Sequence, residues 1–305
     1  MKILYQKGIR FEYLRKYIYL PEKRSHKGQN GKVLVVGGSS LFHSAPVWTA
    51  SAASYIVDMV HLAVGDLNQK VLMQTKAEFW NGIVVGFSDL LSYIREDDVV
   101  IIGPGIPRGR LSDDFKKNSV KLEFDQILRL KDEVEFFYAL IFFLFRNFPK
   151  KKFLIDAGAL QIMEREWLDY LDQKIITPHQ REFNSFFGID LCQDFVYNIS
   201  AVEKLARSGK MTILLKKVED YISDGENSFV IEGGNAGLTK GGTGDLLSGL
   251  VGGLWTRSSA FASATIGSFV LKRTAEKLFL QKGYWYNIDD LLANFSKVLK
   301  ESLLS

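Results

Sequence analysis

The residues best placed to do chemistry lie at 232–253, EGGNAGLTKGGTGDLLSGLVGG, where a glycine-rich loop runs into a helical pattern with an aspartate at the junction. From Asp245 onward, Leu246, Leu247, Leu250, Val251 and Leu254 recur at helical spacing and mark one buried face, which puts Asp245 at or near a helix N-terminus. Just before it, Gly241, Gly242 and Gly244 permit backbone angles and close approaches that a Cβ would obstruct. Amides pointing out of such a turn, with the positive end of a helix behind them, make a place for phosphate oxygens. A carboxylate beside that place repels the anion the loop attracts. The chemistry it offers is to take a proton from a hydroxyl brought up to the phosphate. The plain alternative is that Asp245 caps the helix.

Such a site needs elements to position it. The apolar run 32–36, KVLVV, predicts a buried strand that ends in the turn Gly37-Gly38-Ser39-Ser40, and small residues with Pro46 in the first turn predict a helix over 45–57. Further strands are predicted at 60–64, at 99–102 before Gly103-Pro104-Gly105, at 152–155 ending in Asp156, at 174–177 ending in Pro178-His179, and at 211–215 before Lys216 and Lys217. Helices are predicted around 197–208, over 258–282 and over 288–303, with a short edge hairpin at 229–231. Residues 108–151 read as a polar segment followed by an aromatic run, most simply one long helix or a helix pair. Strands alternating with helices imply an α/β fold with a mainly parallel sheet covered on both faces. Ligands bind outside the carboxyl ends of such strands, so the loops at Gly37-Gly38, 103–105, Asp156, His179, Lys216 and Asp245 should converge. Without tandem repeats or a linker, one domain is expected over 1–305, with 1–30 as an extension packed on it.

Composition narrows the function. The 305 residues are 47% hydrophobic and 24% charged, enough to bury a large core. The net charge of +4 is spread along the chain, which suits an anionic small molecule, and no basic stripe with interleaved aromatics suggests nucleic acid. Cys192 is the only cysteine, which excludes an intramolecular disulfide and a cysteine-based zinc site and fits a reducing cytoplasm. The first residues do not read as a signal peptide, and the run FFYALIFFLF (136–145) is too short to span a bilayer. That run predicts a buried helix or a subunit contact. His26, His43 and His61 lack HExxH-like spacing, and no GxxxxGK[ST] is present, so neither a catalytic zinc nor a Walker-type phosphate loop is expected.

Several motifs, in order, resemble the ADP/ATP-dependent NAD(P)H-hydrate dehydratases, a branch of the ribokinase-like superfamily. They are HKGQNGKVLVVGGSS (26–40), the Ala45-Pro46 pair, IIGPG (101–105), LIDAGAL (154–160), ITPHQREF (176–183), ILLK (213–216) and GGNAGLTKGGTGDLLSG (233–249). The resemblance implies a single ribokinase-like domain that removes the added hydroxyl from the reduced nicotinamide ring of damaged NADH or NADPH. It does so at the expense of a phosphate bond of ADP or ATP, with Mg2+ bridging the phosphates. By the same resemblance, Ala45, Gly105, His179 and Asp245 touch the hydrated dinucleotide, with Asp245 as the base. Lys216, Lys217, Val218, Glu219, Asp220, Gly242, Thr243 and Gly244 hold the nucleotide, and a homo-oligomer is implied. His179 also reads as a structural histidine, Lys216 as a solvated charge and Asp156 as a helix cap or as support for the ligand rim. Glu182 reads equally as a group that hydrogen-bonds nearby or senses magnesium and as a plain helix N-terminal acid. The chain departs from the family pattern at Val57-Asp58-Met59-Val60, at Gly158 where a carboxylate is usual, at Arg181, and at Lys217 where glycine is usual. Two other functions fit the same residues: a ribokinase-like small-molecule kinase, and a catalytically silent nucleotide sensor.

Overall fold

The computed structural model describes residues 18–65 and 69–304. Its strands are β1 (Lys32–Gly37), β2 (Met59–Val64), β3 (Ile83–Val85), β4 (Val99–Ile102), β5 (Lys152–Ile155), β6 (Gln173–Ile176), β7 (Thr212–Leu215), β8 (Asp220–Ser223) and β9 (Ser228–Ile231). The helices are α1 (Ser44–Ser54), α2 (Gln69–Glu78), α3 (Leu90–Glu96), α4 (Asp113–Ser119), α5 (Phe124–Ile127), α6 (Glu133–Asn147), α7 (Ala157–Ile162) and α8 (Gln180–Phe187). They continue with α9 (Phe195–Gly209), α10 (Thr243–Trp255), α11 (Ala260–Lys282) and α12 (Ile288–Leu303).

The strands form one sheet in the order β3-β2-β1-β4-β5-β6-β7-β8-β9. Pairing is parallel from β3 through β7 and antiparallel across β7, β8 and β9. The alternating apolar residues of β1 supply both faces: Leu34 and Val36 enter a core shared with α6, while Val33 and Val35 enter one shared with α1, α10 and α11. All four are fully buried, as both faces of a helix-covered parallel sheet require.

The α1–α10 contact is close because glycines allow it. A Cβ on Gly249 would lie 2.1 Å from the Thr49 carbonyl oxygen, and one on Gly253 would lie 3.0 Å from the Ile56 Cβ. The two backbones therefore meet almost directly, and this contact fixes the N-termini of both helices relative to each other.

Two regions differ from the sequence-based expectation. Residues 108–151 fold as three helices, because separate caps start them: Ser112 accepts from the Phe115 amide, Glu123 and Gln126 form a capping box, and Asp132 accepts from the Val134 and Glu135 amides. The aromatic run lies in α6 with Phe136, Phe137, Leu140, Ile141, Leu144 and Phe145 buried in the core, so it is a buried helix and not a contact surface for another subunit. The hairpin at the sheet edge gains β8, which was not foreseen.

At Val57-Asp58-Met59-Val60 helix-to-strand packing is intact, with Val57 and Val60 buried. Asp58 there accepts from the Gly28 and Asn30 amides at 2.8 and 3.1 Å, tying the loop before β1 to the sheet. Of the N-terminal extension, residues 1–17 lie outside the described residues. Nearer β1, the Tyr19 amide donates to Ser258 and the Gln29 carbonyl accepts from Arg257.

Candidate active site

At the carboxyl ends of the central strands is a cavity of about 400 Å³, whose wall includes Ala45, Gly105, Asp156, His179, Lys216 and residues 240–245. Each comes from a different loop, brought there by the parallel order of β1, β4, β5, β6 and β7. Glycine makes the convergence possible. Gly105 has φ +73°, and a Cβ on it would lie 2.4 Å from the Phe42 carbonyl oxygen.

One end of the cavity is built by the N-terminus of α10. Gly242, at φ +98°, is its N-cap and contributes no side-chain acceptor, so the first-turn amides of Gly244 and Asp245 keep their N–H groups for a ligand. The Thr243 hydroxyl donates backward to the Leu238 and Lys240 carbonyls at 2.9 and 3.1 Å and holds the loop in shape. Asp245 lies in the first turn but does not cap the helix, since Gly242 holds the cap position without a side-chain hydrogen bond. Burial raises its carboxyl, the Asp156 and Glu182 charges raise it further, and Lys216 opposes them, leaving Asp245 at about 7.

Lys216 extends from the end of β7, where its amide donates to the Pro178 carbonyl at 2.8 Å. Its ammonium donates to Asp156 Oδ1 at 2.7 Å and lies 3.3 Å from where a Cβ on Gly244 would be, directly beside the first turn of α10. Burial pulls this ammonium down, but Asp156, Glu182 and Asp245 together outweigh it and hold the group above its usual range. It is therefore a permanent positive charge in the cavity.

Asp156 does not cap α7. Its second oxygen accepts from Ser248 Oγ at 2.5 Å, so the carboxylate ties β7 to α10. Ser248 was missed in the sequence. The only signal was a serine on the turn following Asp245, in an otherwise apolar helix face.

His179 is the N-cap of α8: its Nδ1 accepts from the Glu182 amide at 3.1 Å while Glu182 Oε2 accepts from the His179 amide at 2.9 Å. Its ring remains 48% exposed toward the cavity, so the capping and ligand-facing readings coexist. Glu182 is buried and also accepts from Gln161 at 2.7 Å, which places Gln161 on the rim as a second residue unforeseen in the sequence.

The segment 216–220 divides. Lys216 lines the cavity, whereas Lys217, Val218, Glu219 and Asp220 form the adjoining turn outside its wall. Asp220 is buried, accepting from the Lys217 amide and from Ser268, with the Lys272 ammonium 3.6 Å away. Lys272 also donates to the Val218 carbonyl at 2.6 Å, so α11 clamps this turn. The Lys217 ammonium turns away toward the Cys192 carbonyl at 3.4 Å, and Arg181 is exposed outside the cavity wall. Gly158 packs with its Cα against the Ile106 carbonyl, where a Cβ would lie 2.1 Å from the oxygen. A carboxylate at that position does not fit this backbone.

A sequence profile of the family described as NAD(P)H-hydrate dehydratase matches residues 33–297. The chain is 34% identical over 286 residues to a bifunctional NAD(P)H-hydrate repair enzyme of Methanocaldococcus jannaschii, covering 92% of this chain and 50% of that protein. It thus spans about half the length of such bifunctional relatives. It is 31% identical to the ADP-dependent (S)-NAD(P)H-hydrate dehydratase of Nitrosopumilus maritimus, covering 94% of each chain. Among solved structures, an ADP/ATP-dependent NAD(P)H-hydrate dehydratase of Bacillus subtilis shares the fold with a TM-score of 0.72 at 18% identity, covering 96% of this chain and 97% of that one.

Proposed function

Because the chain belongs to the NAD(P)H-hydrate dehydratase family, we propose that it dehydrates hydrated NADH or NADPH at the expense of ADP or ATP. ADP is the favoured donor because the Nitrosopumilus relative is named ADP-dependent. The observation that carries the reading is one juxtaposition: a half-buried carboxylate at about 7, the first-turn amides of α10, and the Lys216 ammonium, all on one cavity.

In the proposed reaction, the ring hydroxyl of the substrate attacks the terminal phosphorus of the nucleotide as Asp245 takes its proton. The bond from that phosphorus to the bridging oxygen breaks and the shortened nucleotide leaves. The Gly244 and Asp245 amides and Lys216 stabilise the charge that develops on the phosphoryl oxygens. The ring carbon now carries phosphate in place of hydroxide, a far better leaving group. Its C–O bond breaks, the neighbouring carbon gives up a proton, and the reduced nicotinamide is restored. His179, Ala45 and Gly105 bound the part of the cavity assigned to the hydrated ring, and the clamped turn 217–220 borders the part assigned to the nucleotide.

A magnesium ion brought by the nucleotide would help to neutralise its phosphates. Asp156 is engaged by Lys216 and Ser248, and Glu182 by His179 and Gln161. Among the described residues no group of three or more His, Cys, Asp or Glu side chains is arranged around a metal site. Phosphate oxygens and water would supply most of such an ion's shell.

The test is to incubate the purified protein with hydrated NADH, Mg2+ and either ADP or ATP, and to follow the return of nicotinamide absorbance. Absorbance should return only with nucleotide, and Asp245→Asn should lower kcat by about 10²–10⁴-fold. Accumulation of a phosphorylated product without restored nicotinamide would instead make the protein a small-molecule kinase.

A further inference from the structure

Four acidic or basic side chains crowd the inner end of the cavity, yet they do not pair in the most obvious way. Asp156 from the end of β5, Lys216 from the end of β7 and Glu182 from α8 all act electrostatically on Asp245 in α10. Arg108 and Lys240 line the outer wall, beside the His179 ring. A lysine facing two carboxylates ordinarily chooses the one that gives the better hydrogen bond. Here the choice is Asp156 at 2.7 Å, and among the described residues Asp245 makes no ion pair.

The backbone enforces that choice. The Asp156 amide donates to the Ile102 carbonyl at 3.0 Å, and the Asp156 carbonyl sits where a Cβ on Gly103 would be only 1.8 Å away. Immediately after it, Ala157 takes φ +45°, a left-handed conformation that L-residues rarely adopt and that turns the chain sharply into α7. Asp156 is 1% exposed, and its two oxygens are taken separately, one by Lys216 and the other by Ser248. Ser248 also donates to the Gly244 carbonyl at 3.1 Å, in the same turn of α10 that carries Asp245. The carboxylate is thus oriented from both sides before any ligand arrives.

We propose that Asp156 is a positioning residue whose carboxylate holds the Lys216 ammonium over the Gly244 backbone and away from Asp245, leaving Lys216 to meet the transferred phosphoryl group and Asp245 unpaired to take the proton. The proposal rests on the reading of the cavity as a phosphoryl-transfer site. Without Asp156, the carboxylates left beside the ammonium are Glu182 and Asp245, and because Glu182 is already held by Gln161 and the His179 amide, the ammonium swings onto Asp245. A paired Asp245 ionises more easily and becomes a poorer base. One side chain therefore keeps apart two groups that attract each other and are needed separately.

The experiment reads Asp245 directly, so it does not depend on which substrate is turned over. The protein is labelled with 13C at the aspartate carboxyls, and the Asp245 resonance is identified by its disappearance in Asp245→Asn and titrated with pH in the absence of ligand. In Asp156→Asn the midpoint should move to lower pH by about one unit or more. In Lys216→Met it should move to higher pH. In the double variant Asp156→Asn/Lys216→Met, loss of Lys216 should raise the midpoint by more than Lys216→Met does in the parent, because in the Asp156→Asn background the ammonium has swung onto Asp245. Ser248→Ala, which keeps every charge, should give a small downward shift and guards against a single variant that fails to fold. The proposal is overturned if Asp156→Asn leaves the midpoint unmoved, or if Lys216→Met raises the midpoint by no more in the Asp156→Asn background than in the parent, which would mean that Lys216 stays in place without Asp156. If the titrations behave as stated while hydrated NADH is not turned over, the positioning role stands and the substrate assignment falls.

Discussion

Asp245 owes its value of about 7 first to burial and then to its acidic neighbours, and the same burial weakens the fold at the pH where the base is ionised. The folded protein holds this proton up to about 7, whereas the unfolded chain releases it near the ordinary 3.8. Between those values the native state binds more protons, so this group's contribution to stability declines as pH rises and its cost is fully present above 7. Asp245→Asn removes the cost. The variant should be more stable than the parent by on the order of 2 kcal/mol at pH 8, with little difference at pH 4, as read from urea unfolding at both pH values. In the active protein the same group predicts a kcat/KM that rises with pH through an inflection near 7, because the ionised form is the base. A flat profile from pH 6 to 8 would remove Asp245 from that role. At this scale the sequence was partly legible. The glycines and the helix period pointed to Asp245, and His179 and Lys216 stood at strand ends. Ser248 did not stand out, because its partner Asp156 lies 92 residues away and no local pattern records that contact.

The helix pair α1 and α10 carries the two sides of the cavity, Ala45 on one and Asp245 on the other. Their relative position is set by the contact of Gly249 with the Thr49 carbonyl, 2.1 Å from any added Cβ. Gly249→Ala must push the helices apart, which should destabilise the protein by about 1–3 kcal/mol as overpacking does. Because the displaced ends border the proposed site, activity should fall by more than the lost stability explains. Thermal melts and steady-state kinetics on the same preparation check both. Local pattern found α1, α10, α11 and α12, whose apolar spacing and caps lie within a single stretch of chain. It failed at β8, where Asp220 begins a short strand and looks like a loop residue. What makes it buried is Lys272 and Ser268 on α11, about fifty residues away in sequence. It also failed at 108–151, where three capped helices read as one continuous or paired pattern.

Across the whole molecule, alternating strands and helices were enough to foresee a mainly parallel sheet and a site at its carboxyl ends, since that geometry follows from chain chirality and connection length. The strand order with its step from β1 to β4 was not readable, because nothing in β1 names its neighbours beyond being apolar. On the cavity wall Lys216, Arg108 and Lys240 stand against Asp156, Glu182 and Asp245, so the chain's net charge of +4 supplies the long-range attraction for polyanionic ligands. Raising ionic strength should therefore lower kcat/KM for the nucleotide several-fold while leaving kcat at saturation nearly unchanged. An equal loss in both would mean that long-range charge plays no part in capture.

The wall of the cavity is collected from Ala45 at one extreme to Asp245 at the other, with the rest supplied by loops in between. While the chain is being made, the glycine turn and its carboxylate emerge late, after every parallel strand has already left the ribosome. The earlier segments can pair and bury their apolar faces while no phosphate cradle yet exists. The site is thus completed late in synthesis, once α10 docks on α1 and α11 closes over the turn at 217–220.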